Sequence, residues 1–346
     1  MKKFLLALVT MLSSSALFAQ NSLVATLTSG SNVTAYYGET ALAQALEAAK
    51  AGDAISLSGG TFQAADITKP VSICGAGLEN DEESSVQRTV INGDIGIKDM
   101  GIDEPSKVTL EGLYMDNVLY LSNFVKDASF IKCRFKDICS NGIVTNLNIM
   151  HCKIFGGIIM SNENSCNIFN SYVKNPMSLS DTDVVYYYFK NCFLNFNSGS
   201  VADHDPGNLS ELHQTTFENC ILYTYYTGST QAPVPTDSKA TYCVGNATSM
   251  FNNQQNLNNQ IISNNTYLST LFGSTKNTFT DEDNFVLTED AASTYLGNDG
   301  TQVGMYGGGT PFNVQPANPK ITKCIVAGQT SADGTLSVDI EVVGAE

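Results

Sequence analysis

The stretches Phe130-Ile131-Lys132-Cys133-Arg134-Phe135 and Ile149-Met150-His151-Cys152-Lys153-Ile154 carry the same six-residue phrase of apolar, polar and small side chains. Further copies begin at Leu110, Ile168, Phe189 and Phe217, and a degenerate copy begins at Ile262. The first six copies recur every 19 to 28 residues. Such a recurrence is typical of a solenoid, in which each turn covers the apolar face of its neighbour.

The third position of the phrase is predicted to bend the strand. Apolar residues stand at the first, fourth and sixth positions, which a plain strand would place on two different faces. A left-handed residue at the third position restores one shared face, and Gly, Asn and His favour that conformation. The third positions are Gly112, Lys132, His151, Asn170, Asn191, Asn219 and Asn264. The fourth positions predict an inward file of small side chains, namely Cys133, Cys152, Ser171, Cys192 and Cys220.

Stacked in register, these corners predict an all-β fold, a right-handed parallel β-helix of about ten coils. The alternative is a β-sandwich whose sequence periodicity is fortuitous. We expect the β-helix domain to span residues 20–310 and to begin with a capping helix over residues 40–51. Residues 311–346 are expected to form a linker and a C-terminal β-hairpin around Asp333-Gly334.

The start of the chain has the order of a secretory signal peptide. Met1-Lys2-Lys3 precedes an apolar run from Phe4 to Leu12, and small residues follow as far as Ala19. The apolar run is too short for a membrane-spanning helix, which needs about twenty apolar residues. We therefore expect cleavage of residues 1–19 after Ala19 and a secreted protein, in a periplasm, at a cell surface or outside the cell. The alternative is a buried N-terminal strand.

Composition limits the possible partners. The formal net charge is −16, and Arg88 and Arg134 are the only arginines. Without a basic patch that could follow a phosphate backbone, nucleic acid is excluded as a partner. We expect a monomer without a membrane span.

The nine cysteines are an odd number, so they cannot all pair within the chain. Most of them follow the repeat, which favours buried free thiols over disulfides even in an exported protein. These repeat cysteines are Cys133, Cys152, Cys192, Cys220 and Cys243.

A helix-forming run precedes the repeats, and its passage into a strand, ALAQALEAAKAGDAISLSGGTF from Ala41 to Phe62, is distinctive. This passage resembles the N-terminal entry of the pectate lyase-like, or pectin lyase fold, superfamily of right-handed parallel β-helices. The segments Val71 to Gly77 and Thr89 to Gly93 look like early coils of that superfamily, and the similarity extends to about residue 270. The superfamily contains lyases, hydrolases, esterases and proteins with no known chemistry, so the resemblance implies the fold more narrowly than the activity.

The repeat is interrupted between Cys192 and Cys220, which are 28 residues apart. The insertion carries Asp203, His204 and Asp205, about one coil after Asp181 and Asp183. If the two turns stack, these five side chains are candidate catalytic residues for acid/base glycoside hydrolysis. The four carboxylates would equally suit a Ca²⁺ site. The alternative is that each Asp is a solvated turn residue, because Asp favours turns.

Tyrosine-rich stretches flank the insertion, and aromatic faces favour the C–H groups of sugars. Tyr187 and Tyr225 are therefore candidate substrate-binding residues. A lyase would need a base, commonly Lys or Arg, and neither arginine belongs to a recognisable lyase motif. Two hypotheses follow for a protein whose partner is a polysaccharide or another glycan. One is a divergent polysaccharide lyase or glycoside hydrolase, and the other is a non-catalytic glycan-binding, structural or adhesive β-helix.

Overall fold

The computed structural model describes residues 23–80, 87–98, 100, 107–161, 164–178, 185–196, 209, 212–224, 234–254, 256–262, 264–273, 283–315, 320–326, 334–335 and 338–343. The first strands are β1 (Val24–Ser29), β2 (Asn32–Tyr37), β3 (Ala54–Leu57), β4 (Gly60–Gln63), β5 (Ser72–Cys74), β6 (Thr89–Asn92), β7 (Ile95–Ile97), β8 (Thr109–Glu111), β9 (Leu113–Leu121), β10 (Phe124–Lys126), β11 (Ser129–Ile131), β12 (Arg134–Ser140), β13 (Ile143–Thr145) and β14 (Leu147–Met150).

The remaining strands are β15 (Lys153–Met160), β16 (Ser165–Phe169), β17 (Tyr172–Lys174), β18 (Pro176–Ser178), β19 (Tyr186–Lys190), β20 (Phe193–Phe196), β21 (Thr216–Glu218), β22 (Ile221–Thr224), β23 (Lys239–Thr241), β24 (Val244–Gly245), β25 (Gln260–Ile261), β26 (Lys320–Val326) and β27 (Val338–Val343). The helices are α1 (Ala41–Ala48), α2 (Asn264–Phe272) and α3 (Glu289–Thr294).

Two long sheets form two sides of a parallel β-helix. The first sheet has the strand order β2-β1-β3-β5-β8-β11-β14-β16-β19-β21-β23. The second has the order β25-β24-β22-β20-β17-β15-β12-β9-β6-β4, with β18 beside β15 and β7 beside β9. A short third sheet pairs β10 with β13, and β26 and β27 form the expected antiparallel C-terminal hairpin. The predicted all-β parallel solenoid is confirmed.

Seven consecutive turns join a strand of the first sheet to a strand of the second through one corner, from β8–β9 to β23–β24. The less regular turns β3–β4 and β5–β6 precede them. The solenoid therefore has about seven regular turns where about ten were expected. The count is lower because the chain leaves the solenoid after Ile262 and folds back along it.

The corners adopt the predicted left-handed conformation. Six of the predicted corner residues have φ between 45° and 64°, namely Gly112, Lys132, His151, Asn170, Asn191 and Asn219. The prediction for Asn264 is wrong, because this residue begins α2. The seventh corner is instead Tyr242, with φ 54°. Asn258, with φ 57°, forms one more corner before β25.

The small fourth-position residues form the predicted buried file. Cys133, Cys152, Ser171, Cys192, Cys220 and Cys243 are all fully buried. The amide of Cys133 donates to Sγ of Cys152 over 3.4 Å, and the amide of Cys152 donates to Oγ of Ser171 over 3.0 Å. All the cysteines whose side chains the structure describes are free thiols. A larger side chain would not fit between stacked turns, which lie about 4.8 Å apart.

The solenoid interior is filled by inward-facing apolar residues of both sheets, and α1 covers its N-terminal end. Ala41, Leu42, Ala45 and Leu46 are the buried face of α1, which packs against β1, β2, β3 and β4. Nζ of Lys69 donates to the carbonyls of Leu46, Glu47 and Ala49, which satisfies acceptors at the C-terminal end of this helix.

A second apolar layer lies outside the solenoid. After Ile262 the chain forms α2 and α3 and then an irregular segment, residues 297–315, here called the strap. Together these cover outward-facing residues of the second sheet. The solenoid contributes Phe155, Tyr172, Phe193, Ile221, Tyr223 and Val244 to the layer. The covering segment contributes Tyr267, Leu268, Leu271, Phe285, Leu287, Ala291, Val303, Met305 and Phe312.

Candidate ligand-binding groove

The fifth position of each phrase faces outward, and strand pairing places these residues in one file along the second sheet. In order, the file is Tyr114, Arg134, Lys153, Tyr172, Phe193, Ile221 and Val244. The last four members lie in the apolar layer beneath the covering segment. The first three line an open groove. The file therefore changes from polar to apolar where the covered region begins.

The strap is held by the corner residues, which run beside this file. Nδ2 of Asn170 donates to the carbonyls of Met305, over 2.9 Å, and Gly307, over 2.8 Å. Oδ1 of Asn219 accepts the amide of Asn298 over 2.9 Å, and its Nδ2 donates to Oδ1 of Asn298 over 3.0 Å. The asparagines therefore have two roles, since they permit the left-handed corner and also bind the returning chain.

The glycines of the strap allow its close approach. Gly304 has φ 81°, and a Cβ there would lie 2.6 Å from Cδ1 of Ile221. Gly308 has φ 78°, and a Cβ there would collide with the side-chain Nδ2 of Asn191. The sequence predicts a β-helix domain that ends at residue 310, which would place these glycines in its last part. In the structure these glycines lie beside earlier turns.

His151 is the last corner to contact the strap. The amide of Asn313 donates to Nδ1 of His151 over 3.1 Å, so this nitrogen must be unprotonated. Burial lowers the pKa of His151, and the positive charge of Lys132 lowers it further. Both effects favour the neutral imidazole that the hydrogen bond requires.

Beyond His151, the end of the strap and the early turns enclose a groove of about 740 Å³. Its lining is rich in cations, aromatic rings and amides. The solenoid contributes Leu78, Glu79, Asn80, Arg88, Tyr114, Arg134 and Lys153. The other wall consists of Asn284, Tyr306, Phe312, Asn313, Val314 and Gln315. This volume lies within the range of small-ligand sites, which is about 300–1,000 Å³.

The only two arginines of the chain contact the same ring in this groove. Cζ of Arg88 lies 3.7 Å from the centroid of the Tyr114 ring, and Cζ of Arg134 lies 4.6 Å from it. Cζ of Arg134 is also 4.5 Å from the centroid of Phe155. Guanidinium groups stack well on aromatic faces, and each such contact is worth about 0.5–2 kcal/mol. The rings therefore hold both cations in fixed places.

Two cations of the groove are paired with carboxylates. Nη2 of Arg134 lies 3.1 Å from Oδ1 of Asp116, and Nζ of Lys153 lies 2.7 Å from Oε1 of Glu79. Within the part of the chain that the structure describes, no carboxylate forms an ion pair with Arg88.

Aromatic side chains of the strap form the opposite wall. The rings of Tyr306 and Phe312 meet edge to face, with centroids 5.7 Å apart. Oη of Tyr306 donates to the carbonyl of Asn284 over 2.8 Å. Burial raises the pKa of Tyr306 to about 12, and the negative charge of Glu79 contributes to this shift. Tyr306 is therefore a neutral donor at physiological pH.

Most of the predicted site residues cannot be compared with this groove. Asp181, Asp183, Asp203, His204, Asp205 and Tyr225 lie outside the described residues. The convergence of the four carboxylates, and the Ca²⁺ site built on it, stay predictions. Among the described residues, no group of three or more His, Cys, Asp and Glu side chains is placed to hold a metal ion.

Tyr187 is the one predicted site residue that the structure describes. It is 2% exposed and its ring stacks on Phe189, with centroids 5.3 Å apart. The alternation of β19 points Tyr187 into the core, so its ring offers no face to a sugar, which corrects its assignment. Its neighbour Tyr186 is 47% exposed.

Sequence reasoning missed the groove, although the fifth position of the phrase contained a usable signal. This position is apolar in all later turns, whereas the early turns place Tyr114, Arg134 and Lys153 there. In the structure, Arg88 immediately precedes β6, whose Val90 pairs with Tyr114, and Arg134 is paired with Asp116.

Comparison with known proteins adds no further identification: no family model, curated protein or solved structure matches the chain. None of the described helices is long and apolar enough to cross a membrane.

Proposed function

We propose that this protein is an exported β-helix protein that binds an acidic carbohydrate in the groove between its early turns and the strap. The observation that carries the proposal is the convergence of Arg88 and Arg134 on Tyr114. In a chain with a net charge of −16, general electrostatics would repel an acidic ligand. A local group of fixed cations is therefore a specific feature.

The remaining lining supports a carbohydrate as the ligand. Tyr114 and Tyr306 are partly exposed, and aromatic side chains with polar tips suit ligands that are apolar on one face and wet at the edge. The amides of Asn80, Asn313 and Gln315 can both donate and accept hydrogen bonds, as sugar hydroxyls require.

Arg88 supports the acidic character of this ligand. Its Cζ lies 3.7 Å from the centroid of the Tyr114 ring, and a guanidinium carries donors in a fork that matches the two oxygens of a carboxylate. Arg134 and Lys153 already have carboxylate partners and so contribute mainly to the surrounding potential. We therefore assign the direct contact with the acidic group to Arg88.

The groove suits binding better than acid/base catalysis. Glu79 is the acidic residue among the lining residues that the structure describes, and it is engaged by Lys153. Asp116, which lies outside this lining, is engaged by Arg134. Hydrolysis or elimination would instead rest on the predicted cluster of Asp181, Asp183, Asp203, His204 and Asp205. That cluster stays a prediction, and the same ligands can be tested for it by release of reducing ends and by absorbance at 235 nm, with and without Ca²⁺.

The proposal also includes the export of this protein and its membership of the pectate lyase-like superfamily. Export rests on the basic, apolar and small-residue order of the first residues. Membership rests on the sequence resemblance and on the parallel β-helix that carries it. Mass spectrometry of the protein released by its native host tests the first point, with a mature chain that begins after Ala19 as the expected result.

The test of binding is calorimetry with matched oligosaccharides. Oligouronates are compared with the same chains after chemical reduction of their carboxyl groups to alcohols. We expect at least about tenfold weaker binding of the reduced chains, because hydrogen bonds to charged groups are worth about 1.5–3 kcal/mol. Equal affinity for both forms, or binding of neither, would overturn the proposal.

A further inference from the structure

Strand β2 gives the first sheet an unprotected edge. It is the last strand in the order of that sheet, and among the described residues no strand pairs with its outer side. Five of its six residues are exposed. The unpaired N–H and C=O groups of such an edge are a template for another strand.

The usual protections of an edge strand are missing here. Asn32-Val33-Thr34-Ala35-Tyr36-Tyr37 contains no charge and no proline. Its pairing with β1 runs through six consecutive residues without a bulge. Val33 is 66% exposed and Tyr37 is 64% exposed, the two highest values among the exposed large hydrophobic residues. Soluble proteins normally place a charge, a proline or a bulge at such an edge.

We propose that β2 is the interface through which two copies of this chain form an antiparallel, two-fold dimer. Residues that face each other across such a pair must point to the same side of the sheet, because side chains alternate along a strand. An axis between two residues would oppose neighbouring positions, whose side chains point to opposite sides of the sheet. The two-fold axis must therefore pass through a residue. An axis at Ala35 places Val33 opposite the partner's Tyr37 and Tyr37 opposite the partner's Val33.

This register is self-complementary in shape and charge. The two most exposed apolar side chains cover each other on both sides of the axis, and pairs of aromatic and β-branched residues favour strand pairing. No residue of β2 carries a charge, so no carboxylates within the paired strands face each other across the axis. This uncharged and self-complementary register favours a second copy as the occupant.

The size of the contact sets its strength. Two six-residue strands bury less surface than the roughly 1,200–2,000 Å² of a stable interface. We therefore infer a reversible dimer, formed at the edge of a solenoid that folds as a monomer. It would replace the strict monomer expected from composition, and it would join the first sheets of two molecules end to end.

Sedimentation velocity of the exported chain, from about 1 to 200 µM, tests this inference. We expect a concentration-dependent shift from monomer to dimer. Ala35→Lys places like charges opposite each other at the axis and should abolish the shift. Thr28→Lys is the matched control. Thr28 is exposed and lies on β1, one strand away from the edge, where it pairs with Val33 of β2. It should leave the shift unchanged.

A cross-linking variant gives an independent result. Ala35→Cys should form a disulfide-linked dimer under mild oxidation, since directly opposed strand residues have the Cα separation that a disulfide needs. Thr28→Cys should not. A monomer at every concentration together with no Ala35→Cys dimer would overturn the proposal. Equal dimerisation of wild type and Ala35→Lys would overturn it too, because another surface would then be responsible.

Discussion

The early and late turns of this solenoid use the same outward position in different ways. Tyr114, Arg134 and Lys153 occupy it in the turns that line the groove. Tyr172, Phe193, Ile221 and Val244 occupy it in the turns that are covered. The backbone pairing is continuous across the change, so the difference arises in the side chains. The repeat therefore provides a uniform scaffold on which one variable position decides what is covered.

Physical chemistry accounts for where the strap stops. Burial of apolar surface stabilises the covered half by about 25 cal/mol for each Å² removed from water. The Arg134 and Lys153 side chains are only 11% and 8% exposed, and each charge is compensated by a carboxylate, Asp116 or Glu79, which a purely apolar cover would not provide. The strap follows the corner file as far as His151 and then becomes one wall of the groove. The groove therefore exists because the apolar file ends.

The largest expected effect contrasts two members of this file. Phe193 is 1% exposed, and its ring contacts Tyr172, Phe272 and Phe285 with centroids 5.2 to 5.4 Å away. Phe193→Ala should lower the free energy of unfolding by about 3–5 kcal/mol, because it leaves a cavity in a packed layer. Chemical denaturation monitored by circular dichroism measures this change.

Arg134→Met is the comparison within the groove. It keeps an unbranched side chain on Phe155, and the Asp116 side chain that it leaves behind is 58% exposed. We expect a cost of about 1 kcal/mol from the lost ion pair and ring contacts. Costs of similar size for Phe193→Ala and Arg134→Met would contradict the division of the file into a packed and an open half.

The next effect concerns the corner that holds the strap. Asn170→Ala should lower the free energy of unfolding by about 2–4 kcal/mol, because two buried carbonyls lose their donor and Ala disfavours the left-handed corner. Hydrogen exchange should also become faster at residues 304–309. Asn170→Gly is the matched control, since it preserves the corner and removes only the side-chain bonds. Unchanged exchange in both variants would show that the asparagine does not hold the strap.

The smallest of the stability effects depends on pH. The lowered pKa of His151 means that the unfolded chain takes up a proton, near its ordinary pKa of about 6.5, more readily than the folded chain does. The contribution of neutral His151 is therefore complete above about pH 6.5 and declines as the pH falls towards the folded pKa. His151→Asn keeps a residue suited to the corner and cannot titrate.

Urea midpoints of wild type and His151→Asn, measured from pH 8 to pH 5, isolate this contribution from the other carboxyl and imidazole groups. As the pH falls, the urea midpoint of wild type should decrease relative to that of His151→Asn. A difference that is independent of pH would show that the hydrogen bond to Asn313 does not depend on the protonation of His151.

Much of the solenoid could be predicted from sequence because its determinants are local. The left-handed corners follow from Gly, His and Asn at one position of a short repeat, and the buried cysteine file follows from the next position. The prediction failed at Asn264 because the degenerate copy matched the composition of a corner but had no further turn to pair with. Tyr242 was missed because an aromatic residue at a left-handed corner has no local signal.

The groove could not be predicted in the same way because its two walls are remote in the chain. Arg88 and Tyr306 are more than two hundred residues apart in the sequence. The strap has no periodicity, so nothing in its own sequence indicates that it returns along the solenoid. Tyr187 was misassigned for a different reason: an uninterrupted run of tyrosines conceals which of them the alternation of β19 turns inward.

The most direct test of the groove as a site for acidic carbohydrate is the affinity of Arg88→Gln for an oligouronate. Lys98→Gln removes the same charge from an exposed surface pair with Asp66 and serves as the control. We predict a loss of at least about tenfold for Arg88→Gln and less than about twofold for Lys98→Gln, because only Arg88 would contact the carboxylate. An equal loss in both variants, or no loss in Arg88→Gln, would contradict the proposed site.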